Sequence, residues 1–194
     1  MDKFSYALGL GIGQNLLGLG AKNLSVEDFS QAIKDILDGK EPAISHQEAQ
    51  GIVQEHFAAL QAKISEESLK AEKVFFEQNG KKEGIVTTES GLQYEVLVKG
   101  SGKKPSASDQ VKCHYEGKLM DGRMFDSSIK RGQPATFGVN QVIPGWVEAL
   151  QLMEEGDKWR LYIPSELGYG AHGAGEVIPP YSSLIFEVEL IEVL

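Results

Sequence analysis

The stretch VIPGWVEALQLMEEGDKWRLYIP at residues 142–164 changes its period part-way along. In its first half, GWVEALQLM at 145–153 follows Pro144, which suits a first helical position, and reads as one short helix that stops near Gly156. In its second half, DKWRLYIP at 157–164 alternates apolar and polar residues, as a half-buried strand does. Working outward, LQYEVLV at 92–98, VKCHYEGKL at 111–119 and LIFEVELIEV at 184–193 alternate in the same way. Asp121-Gly122 is a tight-turn pair that joins 111–119 to a strand near 123–127. The second half of the chain therefore reads as about five antiparallel strands and one helix, an α+β domain. Residues 84–90, GIVTTES, read as the join between this domain and the first half.

The first half reads as helices. Through YALGLGIGQNLLGLG at 6–20 and the residues just before it, Phe4, Leu8, Ile12 and Leu16 recur every four residues, one stripe of a helix. Gly9 and Gly13, also four apart, would let another backbone approach closely. As a secretion signal the stretch is poor, because Asp2 offsets Lys3 and Gln14-Asn15 interrupts the apolar run. It is too short for a membrane span, which needs ~20 apolar residues. It also carries neither phosphate-loop pattern. Ser25-Val26-Glu27-Asp28 resembles a capping box before Phe29, Ala32, Ile33, Ile36 and Leu37, with Gly39 as the stop. Ser45-His46-Gln47-Glu48 opens a third helix with no strong breaker before Asn79-Gly80, a length of ~50 Å at 1.5 Å per residue.

That third helix changes character. Ala49, Ile52, Val53, Phe57, Leu60 and Ile64 form an apolar stripe, whereas SEESLKAEK after Ile64 is mostly polar and reads as a bare arm. Val74, Phe75 and Phe76 near its end are placed to dock on the second half of the chain. Three helices of this kind bury too little to be stable alone. A second copy of the chain, joined about a two-fold axis, would cover both stripes. The alternative is that the helices pack on the second half of their own chain.

Composition narrows the function classes. The 194 residues carry a net charge of −9, spread evenly along the chain, which disfavours nucleic acid and anionic membranes as partners. One cysteine, Cys113, forms no internal disulfide and reads as a small buried hydrophobe. The four histidines and one cysteine show no metal-ligand spacing, and no GxSxG elbow or Cys/His nucleophile pattern is present. No metal or cofactor is expected. A set of aromatic and branched residues near turns stands out: Tyr115, Phe125, Phe137, Trp146, Tyr169 and Phe186, with Val142, Ile143, Val177 and Ile178.

HYEGKLMDGRMFDSS at 114–128, VIPGWVEALQLMEEGDKWRLYIPSELGYG at 142–170 and IPPYSSLIFEVEL at 178–190 closely resemble the FKBP-type peptidyl-prolyl cis/trans isomerases. The resemblance covers about residues 90–194. The helical first half, with its long arm, looks like the dimeric bacterial branch related to the macrophage infectivity potentiator proteins. The implied fold is α+β: an all-helical dimerisation module over 1–66, an exposed arm and linker over 67–88, and an isomerase domain over 89–194. In that domain an antiparallel half-barrel sheet wraps one short helix.

The resemblance also implies a pocket. Trp146 would be its floor, and Tyr115, Phe137 and Phe186 its walls. Phe125 and Asp126 would form the rim, with Arg131 as a basic residue near Asp126. Val142 and Ile143 would line one edge, the Ile143 N–H bonding a substrate carbonyl. Tyr169 would be a hydroxyl donor and Ile178 the apolar edge of a flap loop. Ala135, Ala174 and the short link from Phe137 to Val142 depart from some family members and bear on substrate preference and macrolide affinity. The implied partners are a second copy of the chain, unfolded or proline-containing polypeptides, and macrolide inhibitors in the pocket. Two functions are open: an isomerase acting on folding proteins, or a chaperone-like module that holds extended chains. With the first helix retained in the mature chain, a cytoplasmic location is expected.

Overall fold

The structure is a computed structural model that describes residues 1–21 and 23–194. The chain divides into two compact units, residues 1–63 and 64–194.

The first unit holds α1 (Lys3–Gly18), α2 (Val26–Leu37) and the start of α3 (His46–Asn79). Each helix begins on a side chain that accepts an otherwise orphaned backbone N–H. The Ser5 N–H donates to the Asp2 carboxylate at 2.7 Å, the Asp28 N–H to Ser25 Oγ at 3.2 Å and the Glu48 N–H to Ser45 Oγ at 3.1 Å. α1 and α2 end alike. Gly20 and Gly39 take φ of +82° and +66°. The next N–H then reaches back to the carbonyl of Leu16 in one helix and of Asp35 in the other. Gly20 also admits Leu60 of α3, whose Cδ2 would lie 2.7 Å from a Cβ at that position. Neither α1 nor α2 contains a buried residue.

The second unit holds the end of α3 and a seven-stranded antiparallel sheet with one short helix packed on it. The strands are β1 (Ile85–Thr87), β2 (Gln93–Val98), β3 (Gln110–Leu119), β4 (Met124–Ser127), β5 (Ala135–Gly138), β6 (Lys158–Ile163) and β7 (Leu184–Val193). Their order is β1-β2-β6-β7-β3-β4, with β5 also on β3. This is the expected architecture with two more strands. β1 and β5 span only three and four residues, too few for alternation to show. The GIVTTES join in fact supplies β1, whose Val86 pairs with Tyr94 of β2.

The helix α4 (Pro144–Leu152) opens on Pro144 and buries Trp146, Ala149 and Leu150, one face at helical spacing. Gly145 permits its close approach to the sheet, since a Cβ there would lie 2.7 Å from Ile163 Cγ2. β3 alternates buried and half-buried residues along its length, placing Val111, Cys113 and Tyr115 in the core. Burial pushes the Cys113 thiol up to about 12, so it is an inert core residue.

The end of α3 corrects the expectation of a bare arm. Ser68, Glu72, Phe75, Phe76 and Asn79 form one half-buried to buried face within the second unit. The Phe75 ring lies 5.9 Å from that of Tyr162. Asn79, fully buried, donates to Gln93 Oε1 at 3.0 Å, and Gln93 donates to the Phe76 carbonyl at 2.9 Å. The Glu72 carboxylate accepts from Ser165 and Ser183. Hydropathy counts such a face as solvated, yet it docks because its polar atoms find partners.

Candidate active site

Nine of the ten expected site residues line one cavity of ≈ 450 Å³: Tyr115, Phe125, Asp126, Phe137, Val142, Ile143, Trp146, Tyr169 and Phe186. Strands, a helix and two loops bring them together. β3 supplies Tyr115, β4 Phe125 and Asp126, β5 Phe137 and β7 Phe186. The entry to α4 supplies Val142 and Ile143, α4 itself Trp146, and the loop after β6 Tyr169.

The rings interlock edge to face. Trp146 stands at 88° to Tyr115, 78° to Phe137 and 82° to Phe186, with centroids 5.3 to 5.6 Å apart. Phe125 meets Phe186 at 5.4 Å and 83°. Such pairs hold each ring by its neighbours' positive edges and leave little rotational freedom. Gly117 makes the wall possible: a Cβ there would lie 2.6 Å from the Phe186 ring and 2.7 Å from the Phe125 ring.

Among the described residues, one charged cluster lies along this cavity, at its rim. The Tyr115 hydroxyl donates to Asp126 Oδ2 at 2.5 Å, and Arg131 donates to Tyr115 Oη at 2.8 Å and to Asp126 Oδ1. Burial alone would raise the Asp126 carboxyl, but the Tyr115 hydroxyl and the Arg131 guanidinium outweigh it and hold it below the usual range. Burial and the bond to Asp126 push the Tyr115 phenol up, so it stays a neutral donor. The strand pair is pinned behind it by Ser128, whose Oγ accepts the Tyr115 N–H at 2.8 Å.

Two of the cavity's polar groups stand out as lacking a partner among the described residues. Ile143 is the residue before α4; its carbonyl accepts from Trp146 and Val147, while its N–H has no acceptor among the described residues. Trp146 Nε1 is buried with no partner among them.

Ile178 lies elsewhere. It is 4% exposed, packed in the core, and bridges to Ala174 through N–H···O bonds of 2.8 and 3.1 Å. Its side chain anchors the loop rather than lining the cavity. Gln141 lines the cavity and was not foreseen. It is the last residue of a tight 139–141 turn and folds back over Gly138, a position that only the turn geometry reveals.

The family model described as FKBP-type peptidyl-prolyl cis-trans isomerase matches residues 101–191, and the model of the domain amino-terminal to such isomerases matches residues 1–96. The chain belongs to the FKBP-type peptidyl-prolyl cis-trans isomerases. It is 47% identical to the FKBP-type 22 kDa peptidyl-prolyl cis-trans isomerase of Escherichia coli, over 98% of this chain and 94% of that protein. It is 39% identical to the peptidyl-prolyl cis-trans isomerase Mip of Coxiella burnetii, over 99% of this chain and 86% of that one. Among solved structures, FkpA from Escherichia coli superposes with a TM-score of 0.78 at 34% identity, covering 99% of this chain and 95% of that one. This FKBP-type isomerase therefore shares both its helical and its catalytic half with full-length relatives.

Proposed function

We propose that the aromatic cavity is where the isomerase binds and twists the X–Pro bond. The observation that carries this reading is the unpaired Ile143 N–H beside a buried indole floor. The planar amide resists rotation by ~18–20 kcal/mol because its C–N bond is partly double. On twisting, resonance is lost, the carbonyl becomes less polar and the nitrogen more amine-like. A dry aromatic surface disfavours the planar, polar amide more than the twisted one, so the barrier falls by differential binding. The proline ring would rest on Trp146, walled by Tyr115, Phe137 and Phe186. The Ile143 N–H would hold a substrate carbonyl, and the Tyr169 hydroxyl would reach the chain on the far side. The Tyr115–Asp126–Arg131 cluster keeps the rim rigid and its charges internally satisfied. No nucleophile is required. A macrolide would compete for the same cavity.

We further propose that the first unit joins two copies of the chain and recruits unfolded polypeptide. Support comes from α1, where the stripe residues Phe4, Leu8 and Ile12 are 73%, 53% and 41% exposed in the single chain. Apolar faces of that kind are covered by a partner in a stable protein. A two-fold pair would place two cavities within reach of one bound chain and raise the local concentration of its prolines. We also propose a cytoplasmic location, on the reading of α1 as a helix of the working chain. Recovery of cellular protein lacking residues 1–18 would overturn that location.

The test is refolding of a protein limited by one X–Pro isomerisation, with the full chain and with residues 64–194 at equal molarity. Faster catalysis by the full chain, by about tenfold or more, is expected from tethering. Equal rates would remove the recruiting role and leave catalysis to the second unit alone.

A further inference from the structure

The loop from Pro164 to Ser183 connects β6 to β7 and carries Tyr169 into the cavity. Its path is irregular, with two single-turn helices, Ser165–Leu167 and Gly170–His172, separated by Gly168 and Tyr169. Gly170, Gly173 and Gly175 all have positive φ. Such a segment needs external anchors to hold one conformation. Its base is partly fixed by the sheet, where Ile163 pairs with Leu184.

Ile178 in the core is a second hold, and a further anchor comes from outside the sheet. Glu72 of α3 bonds both ends of the loop at once. Its Oε2 accepts the Ser165 N–H at 2.7 Å and the Ser183 hydroxyl at 2.5 Å, while its Oε1 accepts the Ser165 hydroxyl at 3.2 Å. Ser165 and Ser183 are both buried, and they lie 93 and 111 residues from Glu72 in sequence. Three donors converge on one carboxylate, and bonds to a charged acceptor are the stronger kind. Ser165 is the first residue of the turn that leads, four residues on, to Tyr169.

We propose that Glu72 is a positioning residue for isomerisation: by clamping the neck of the 164–183 loop it fixes the Tyr169 hydroxyl over the cavity. The proposal rests on the reading that the cavity is the active site. The end of α3 is then part of the catalytic scaffold of the second unit.

The test is a double-mutant cycle in the full chain, with X–Pro peptide isomerisation as the readout: Glu72→Ala, Tyr169→Phe and the pair. Glu72→Ala should lower kcat/KM about fivefold, mostly in kcat, and Glu72→Gln, which keeps an acceptor oxygen, should recover part of it. In the Tyr169→Phe background the Glu72→Ala effect should shrink to less than about twofold, because the group being positioned is gone. Full, additive loss in both backgrounds would overturn the proposal, as would wild-type kcat/KM in Glu72→Ala. Trp146→Leu separates the two failures. If it and Tyr169→Phe both keep wild-type turnover, the cavity reading fails. If they lower turnover and Glu72→Ala does not, only the clamp fails.

Discussion

The Tyr115 hydroxyl meets the Asp126 carboxylate at 2.5 Å across the β3–β4 pair, and Arg131 donates to both. Three residues thus satisfy one another at the cavity rim, with the Arg131 guanidinium 5.5 Å from the Tyr115 ring centroid. The arrangement has a pH consequence. The Asp126 carboxyl titrates below its ordinary value, so its contribution to stability is fully present at neutral pH. That contribution is lost as pH falls through the folded pKa, below the unfolded aspartate value near ~4. Asp126→Asn should therefore flatten the acid side of the stability profile. Chemical denaturation from neutral pH down to about pH 2 checks it. Identical acid slopes in the two proteins would show the cluster has no energetic weight.

Gly117 is a wall residue by virtue of having no side chain. Gly117→Ala places a methyl within 2.7 Å of both Phe125 and Phe186. A stability loss of about 1–3 kcal/mol is expected, the usual cost of overpacking, together with reduced peptide turnover as the rings are displaced. Thermal denaturation and a peptide assay on the same sample measure both. A variant equal to wild type in both would show that the rings give way freely.

Asn79 closes α3 against the sheet through its bond to Gln93, which is 3% exposed. Asn79→Ala leaves the Gln93 carbonyl oxygen without that donor. About 1–3 kcal/mol of destabilisation is expected, the cost of an unsatisfied buried polar group. Urea denaturation monitored by tryptophan fluorescence reads it directly. A loss under ~0.5 kcal/mol, the scale of an ordinary surface substitution, would contradict it.

Leu8 and Ile12 lie on the exposed stripe of α1. Changing both to Glu should convert a dimer to a monomer in sedimentation velocity, because charges on an interface core disfavour association. Peptide turnover per chain should stay within about twofold, since each cavity is built within one chain. A wild-type chain that sediments as a monomer would contradict the proposed pairing.

Much of this was legible in the residues. Alternation in β3, β6 and β7 and the capping serines of α2 and α3 placed those elements almost to the residue. Strands β1 and β5 were not legible, because three or four residues carry no period. The docked face of α3 was hidden for a different reason. Ser68, Glu72 and Asn79 look solvated in one dimension, and only the fold supplies Ser165, Ser183 and Gln93 as partners for Glu72 and Asn79. In the cavity, the aromatic residues and Asp126 could be placed from their motifs. Ile178 could not be told from a lining residue, because an apolar side chain before Pro179-Pro180 suits a core anchor equally well. Gln141 was missed because its place depends on the turn that folds it over Gly138.

The most direct test compares wild type with Trp146→Leu in cis-to-trans isomerisation of a short X–Pro peptide, with folding verified by a cooperative melt. Trp146 is 4% exposed and touches Tyr115, Phe137 and Phe186, so its loss removes the floor while the sheet remains. A fall in kcat/KM of about tenfold or more, in a folded variant, is expected if the cavity stabilises the twisted amide. Unchanged turnover in that folded variant would contradict the assignment of catalysis to this cavity.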